Sequence, residues 1–170
     1  MKASKFIVLV GGILGILAFF LPIVTVQHGG ASASVSAFQV IKGLDAATDA
    51  VNDNRADVDV ALASSGSSAG EAKDGLAAAK GIVFALFVPA LILAAIGGRG
   101  VAKKKFGRGA GAFSLILGLI ALGIGAMLQG AAGGSSGAGI YLLVLTGVAG
   151  TVGGLLALVK PERAQLAAMA

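Results

Sequence analysis

The chain has no cysteine and no tryptophan, and only one histidine and one tyrosine. Without cysteine there is no disulfide, no thiolate nucleophile and no sulfur-ligated metal. His28 stands alone, so it cannot pair with a second imidazole. No serine, lysine or carboxylate stands at a catalytic spacing from it, and an exposed turn residue is its expected role. Charge is also scarce. Asp, Glu, Lys and Arg make up 12% of the 170 residues, about half the share in a soluble domain, whereas 56% are hydrophobic. With a mean hydropathy of +0.94, the balance names lipid as the solvent for much of the chain.

What is present is four long uncharged runs: Phe6 to Val26, Gly81 to Ile96, Ala110 to Leu128 and Gly139 to Val159. A helix rising 1.5 Å per residue needs about 20 residues to cross a hydrocarbon core of about 30 Å. The expected spans are therefore about 6–26, 78–97, 110–129 and 139–159, within a single membrane domain over 1–170. The second begins early enough to include Leu76 to Ala79, with Lys80 reaching outward. Pro89 inside it is expected to kink the helix, which membrane helices tolerate. The first run opens with Lys2 and Lys5, as a secretory signal peptide does. It is longer than the 7–15 apolar residues of such peptides and reads as a retained span.

The charges divide by side. Lys2, Lys5, Arg99, Lys103, Lys104, Lys105, Arg108, Lys160 and Arg163 stand with one acid, Glu162. The other side carries Lys42, Arg55, Lys73 and Lys80 against Asp45, Asp49, Asp53, Asp57, Asp59, Glu71 and Asp74, a net −3. The positive-inside rule then places both termini and the 98–109 loop in the cytoplasm of a multi-pass inner-membrane protein, with 27–77 facing out. The basic loop Arg99, Lys103, Lys104, Lys105 and Arg108 reads first as this topogenic signal, and second as a patch for anionic lipid or a partner. The charge distribution gives no nucleic-acid reading.

In the outer region, Ile23-Val24-Thr25-Val26 and the stretch around Val35 flank Gly29-Gly30, which predicts a small β-hairpin. Phe38, Val40 and Ile41 are expected to pack it down. A helix capped by Asp45 is expected over 44–62, followed by a Ser/Gly linker over 63–68 and a return helix from near Glu71. The acids at 45, 49, 53, 57 and 59 lack the glycine and terminal glutamate of an EF-hand loop. Gly97-Gly98-Arg99-Gly100 and Gly107-Arg108-Gly109 lack the lysine spacing of a phosphate loop. No cofactor and no metal site is expected.

Small residues recur on single helix faces. The third span carries Gly111, Ser114, Gly118, Ala121 and Gly125 at steps of three and four. The fourth carries Thr146, Gly150, Gly153 and Gly154, and the first Gly11 and Gly15. In lipid, helices associate through close backbone approach, which small residues permit. These faces predict a tight bundle, with the third and fourth spans as an antiparallel hairpin, and offer a surface for self-association. Phe19, Phe20 and Tyr141 suit one interfacial belt, and Phe6, Phe106 and Phe113 the other.

The layout is span, long outer loop with a hairpin, span, short basic loop, span, short outer loop, span. It resembles the claudin and peripheral-myelin-protein class of four-helix membrane proteins. That family's outer-loop tryptophans and cysteine pair have no counterpart here. Locally, Leu21-Pro22-Ile23-Val24-Thr25-Val26, Ser36-Ala37-Phe38 and Gly43-Leu44 are similar to small bacterial four-span membrane proteins. The expected fold is an all-α membrane protein, a four-transmembrane-helix bundle with a small extracytoplasmic hairpin-plus-helix appendage. The expected function is non-enzymatic: a structural or assembly role, with the bilayer and a second copy or another membrane protein as partners. A channel or transporter component and an accessory subunit of a larger complex are the alternatives. No ionisable group interrupts a span, as conduction pathways usually require.

Overall fold

The computed structural model describes residues 3–28, 31–103 and 106–159. Helix α1 runs Ala3–Phe20, strands β1 and β2 run Pro22–His28 and Ala31–Ser36, and α2 runs Ala37–Asp53. Helix α3 follows at Arg55–Leu62, then α4 at Ala69–Ala102, α5 at Arg108–Ala132 and α6 at Ala138–Val159. Helices α1, α4, α5 and α6 are each long and apolar enough to cross a membrane.

Helix α1 ends six residues before the expected Val26. Pro22 has no N–H for the helical ladder and biases Leu21 away from helical dihedrals. The last bond runs from Leu21 N–H to the Leu17 carbonyl, at 3.2 Å. The next four residues, Ile23 to Val26, are all β-branched and stiff at χ1, so they continue as strand rather than helix. They pair antiparallel with β2, Thr25 opposite Ser34 and Val26 opposite Ala33. The Gly29-Gly30 turn lies outside the described residues. The α5–α6 loop closes onto the hairpin's other edge. Val24 bridges Ser136, and Gly137 N–H donates to the Ile23 carbonyl at 2.9 Å. A Cβ on Gly137 would sit 2.7 Å from the Pro22 carbonyl carbon, so a bare backbone is needed for this approach.

Helix α2 starts at Ala37, not near Asp45. Ser36 and Gln39 form a capping box: Gln39 N–H donates to Ser36 Oγ at 3.2 Å and Ser36 N–H to Gln39 Oε1 at 2.9 Å. Phe38, Val40 and Ile41 thus belong to the first turns of α2. Ile41 is buried, and the Phe38 ring meets Phe19 and Phe20 at 6.2 and 5.6 Å. Asp45, freed from a capping role, pairs with Lys80 of α4. The expected 44–62 helix is divided at Asn54, and the 63–68 linker contains a short 3-10 turn and Gly66 in the left-handed region at φ +72°. Helix α4 begins nine residues ahead of the expected span, at a second capping box formed by Ser68 and Glu71. Its 34 residues extend about 51 Å, some 20 Å beyond a hydrocarbon core. That surplus is the mast against which α2 packs.

The spans are arranged in the ring α4–α1–α6–α5, and every packed seam is antiparallel. Gly12 lies against Ala94 and Gly97 against Leu9 between α1 and α4. Gly11 lies against Ala149 and Gly153 against Val8 between α1 and α6. Gly111 lies against Ala157 and Gly125 against Val144 between α5 and α6. The fourth seam, α4 to α5, is the most sparsely packed of the ring. Large apolar side chains point outward: on α1, Phe6, Val10, Ile13, Leu17 and Phe20 form an exposed stripe, while Val8, Gly11, Gly12, Gly15 and Ala18 are buried. A water-soluble bundle would do the reverse. Bulk outside and glycine inside is the arrangement lipid favours.

Candidate functional site

Every small residue singled out on the faces is buried: Gly11, Gly15, Gly111, Ser114, Gly118, Ala121, Gly125, Thr146, Gly150, Gly153 and Gly154. The structure places them in seams within one chain. Gly118 abuts Gly150 and Thr151, where a Cβ would lie 2.7 Å from the Gly150 carbonyl carbon. On Gly154 it would lie 2.6 Å from Leu115 N. Gly15 meets the Thr146 side chain, at 2.9 Å from a Cβ. The α5 face is wholly engaged by α6. The α6 face divides: Gly147, Gly150 and Gly154 serve α5, and Gly139 and Gly153 serve α1.

Gly12 and Gly97 are equally critical, with added Cβ atoms 2.5 Å from Ala94 Cα and 2.6 Å from Leu9 Cα. Reading stripes one helix at a time misses them. The signal is the adjacent pair Gly11-Gly12: two neighbours a hundred degrees apart on a helix let α1 contact two partners at once.

The buried hydroxyls fare differently. Thr146 Oγ1 donates to the Leu142 carbonyl and Thr151 Oγ1 to the Gly147 carbonyl, both at 2.8 Å. Such back-bonding satisfies a hydroxyl inside a helix. Ser114, 0% exposed, has no partner for its Oγ.

The basic end of the bundle is built from the last turn of α4, the 103–107 connector and the first turn of α5. Lys104 and Lys105 lie outside the described residues. Arg99, Lys103 and Arg108 are exposed, while Lys5 of α1 is buried, its Cβ 3.4 Å from where a Gly100 Cβ would be. Phe106 is not the interfacial anchor expected from its position: it is 1% exposed and packs with Val8, Leu93, Leu117 and Ala157. Its ring lies on Gly100, where a Cβ would come within 2.5 Å of Cδ2. Beside it, between α4 and α5, is a cavity of about 330 Å³ reached by Arg99 and Lys103.

The end of the bundle opposite the basic connector carries an aromatic cluster. Phe19 stacks on Phe84 at 6.2 Å and meets Phe87 edge-on at 5.0 Å, and Lys42 Nζ stands 5.1 Å from the Phe38 ring centre. These contacts, the Asp45–Lys80 pair and the hairpin's junction with the α5–α6 loop brace the appendage on the bundle. At its tip α3 buries none of its residues, and Val60 is 78% exposed. Among the described residues no three His, Asp or Glu side chains come together to hold a metal ion.

No protein-family model, no curated protein and no solved structure matches the chain. Its class therefore rests on its own architecture: four apolar helices with bulky side chains outward make it a multi-pass membrane protein with an all-α fold.

Proposed function

We propose that this is a non-enzymatic assembly protein of the membrane, which uses its outer appendage to bind a second copy of itself or another membrane protein. The observation that carries this reading is the contrast between a braced appendage and an unburied tip. The hairpin is tied to the α5–α6 turn and α2 to the α4 mast, yet α3 buries no side chain of its own. A stiffly held surface loses little conformational freedom on docking, so more of the contact energy appears as affinity. The small-residue faces serve a different end in this account. They are consumed within the chain and make the platform rigid. Association then falls to the outer surface, whose acids favour a partner of opposite charge. By the positive-inside rule, Arg99, Lys103 and Arg108 face the cytoplasm and the appendage faces out.

A photo-crosslinking residue at Val60, in cells, tests the reading. The expected result is one discrete adduct of fixed mass, lost when the crosslinker is moved to lipid-facing Val148 of α6. A Val60 probe that yields only lipid adducts contradicts the proposal.

A further inference from the structure

We infer that the α4–α5 cleft at the basic end is a binding site for one anionic phospholipid, with an acyl chain between the helices and the headgroup phosphate on Arg99 and Lys103. This does not depend on the assembly role proposed above.

The cleft exists for a local reason. At the three other seams, glycine brings backbones into contact. Here α4 offers Gly100, and Phe106 from the connector fills that place with a buried ring. The ring wedges the ends of α4 and α5 apart, and the close-packing glycines of α5, Gly111, Gly118 and Gly125, are already engaged by α6. What remains is a cavity of about 330 Å³ walled by Ile96, Ala110 and Phe113. Phe113 is half exposed, so the cavity opens sideways toward lipid. The wall formed by Ile96, Phe106, Ala110 and Phe113 offers water no hydrogen-bond partner and suits hydrocarbon; the charged lining residues are Arg99 and Lys103.

The mouth sets the headgroup. Arg99 and Lys103 are four residues apart, one turn of the same face of α4, and both line the cavity. Neither has an acidic partner among the described residues, because the described acids, Asp45 to Asp74, all precede α4's membrane segment at the far end of the bundle. Two cations with no acidic partner among the described residues, beside an apolar slot, complement a phosphate joined to acyl chains, and basic pockets between membrane helices bind such headgroups. Arginine also offers a planar fork of donors matched to phosphate oxygens.

The absence of tryptophan makes the test direct. Phe113→Trp puts a single indole in the full-length chain, at the cleft wall. The protein is reconstituted in phosphatidylcholine vesicles containing either acyl-brominated phosphatidylglycerol or acyl-brominated phosphatidylcholine at equal mole fraction. The expected result is stronger quenching by the anionic lipid. That selectivity falls about 5-fold for each cation removed in Arg99→Gln and Lys103→Gln. Arg108→Gln removes an equal charge from the same surface but not from the cleft, and should leave most of it. Ala110→Leu keeps every charge, fills the slot and should abolish it. Circular dichroism confirms the fold of each variant. Should Phe113→Trp not fold, native mass spectrometry of the unaltered chain counts bound phosphatidylglycerol against phosphatidylcholine, with the same two glutamine variants. Equal quenching by both lipids, or equal loss in Arg108→Gln and Arg99→Gln, overturns the site in favour of bulk lipid or diffuse surface charge.

Discussion

Adding one methyl group to helix α5 should have opposite effects at two glycines less than two turns apart. At Gly118 a Cβ would lie 2.7 Å from the Gly150 carbonyl carbon and 2.8 Å from Thr151 Oγ1. Carbon atoms pack best at 3.5–4.0 Å, so α5 and α6 must part locally by about 1 Å and forfeit contacts along the seam. Neither obstacle is the free end of a flexible side chain, and overpacking of this kind costs about 1–3 kcal/mol. At Gly123 a Cβ meets nothing within 4 Å, and alanine improves helix propensity by about 0.5–1 kcal/mol. Both substitutions share the propensity gain, so Gly118→Ala and Gly123→Ala should differ by the overpacking cost alone, about 1–3 kcal/mol, with Gly118→Ala the less stable. The assay is helix content by circular dichroism in mixed micelles titrated with sodium dodecyl sulfate. If Gly118→Ala unfolds at the same detergent fraction as Gly123→Ala, or at a higher one, glycine-mediated closure of the α5–α6 seam is refuted.

Ser36→Ala should remove the capping box of α2 and cost about 1 kcal/mol, seen as faster amide exchange confined to the first turn after Ala37. Gly137→Ala should detach the α5–α6 loop from the hairpin; the Gly137 amide and its β1 neighbours lose exchange protection while α5 and α6 keep theirs. Ser114→Ala removes a buried hydroxyl that has no partner, so the variant should be more stable by about 1 kcal/mol or more. Thr146→Ala opens space beside Gly15 and should be destabilising in the same detergent titration.

The four spans were legible because lipid leaves its mark on composition: charge is costly in a helix facing hydrocarbon, so each span contains a long uncharged run. The α5 stripe was legible because one helix face repeats at steps of three and four. Where the chain leaves the bilayer, hydropathy loses its force and local chemistry decides. Ile23 to Val26 are apolar enough to continue α1, but Pro22 and β-branching turn them into a strand. The start of α2 lies in the Ser36-x-x-Gln39 box, whereas the acidic run makes Asp45 look like the cap. The long start of α4 was legible, because helix formers resume near Glu71 and the helix begins at Ala69; that its first turns carry α2 was not. Seam partners are a different matter. That Gly12 faces α4 while Gly11 faces α6 is a property of the ring, and no single-helix pattern carries it. The α4–α5 cleft was hidden for the same reason: Phe106 in sequence looks like an interfacial anchor, and only its seat on Gly100 makes it a wedge.

The measurement that bears most directly on the assembly role is the mass and composition of the complex after the membrane is excised into native nanodiscs, without detergent. The expected result is a uniform particle holding a fixed number of copies, or one copy with a second membrane protein in fixed ratio, dissociated by replacing Asp57 and Val60 on α3 with lysine. A single copy of the chain surrounded by lipid alone would contradict it.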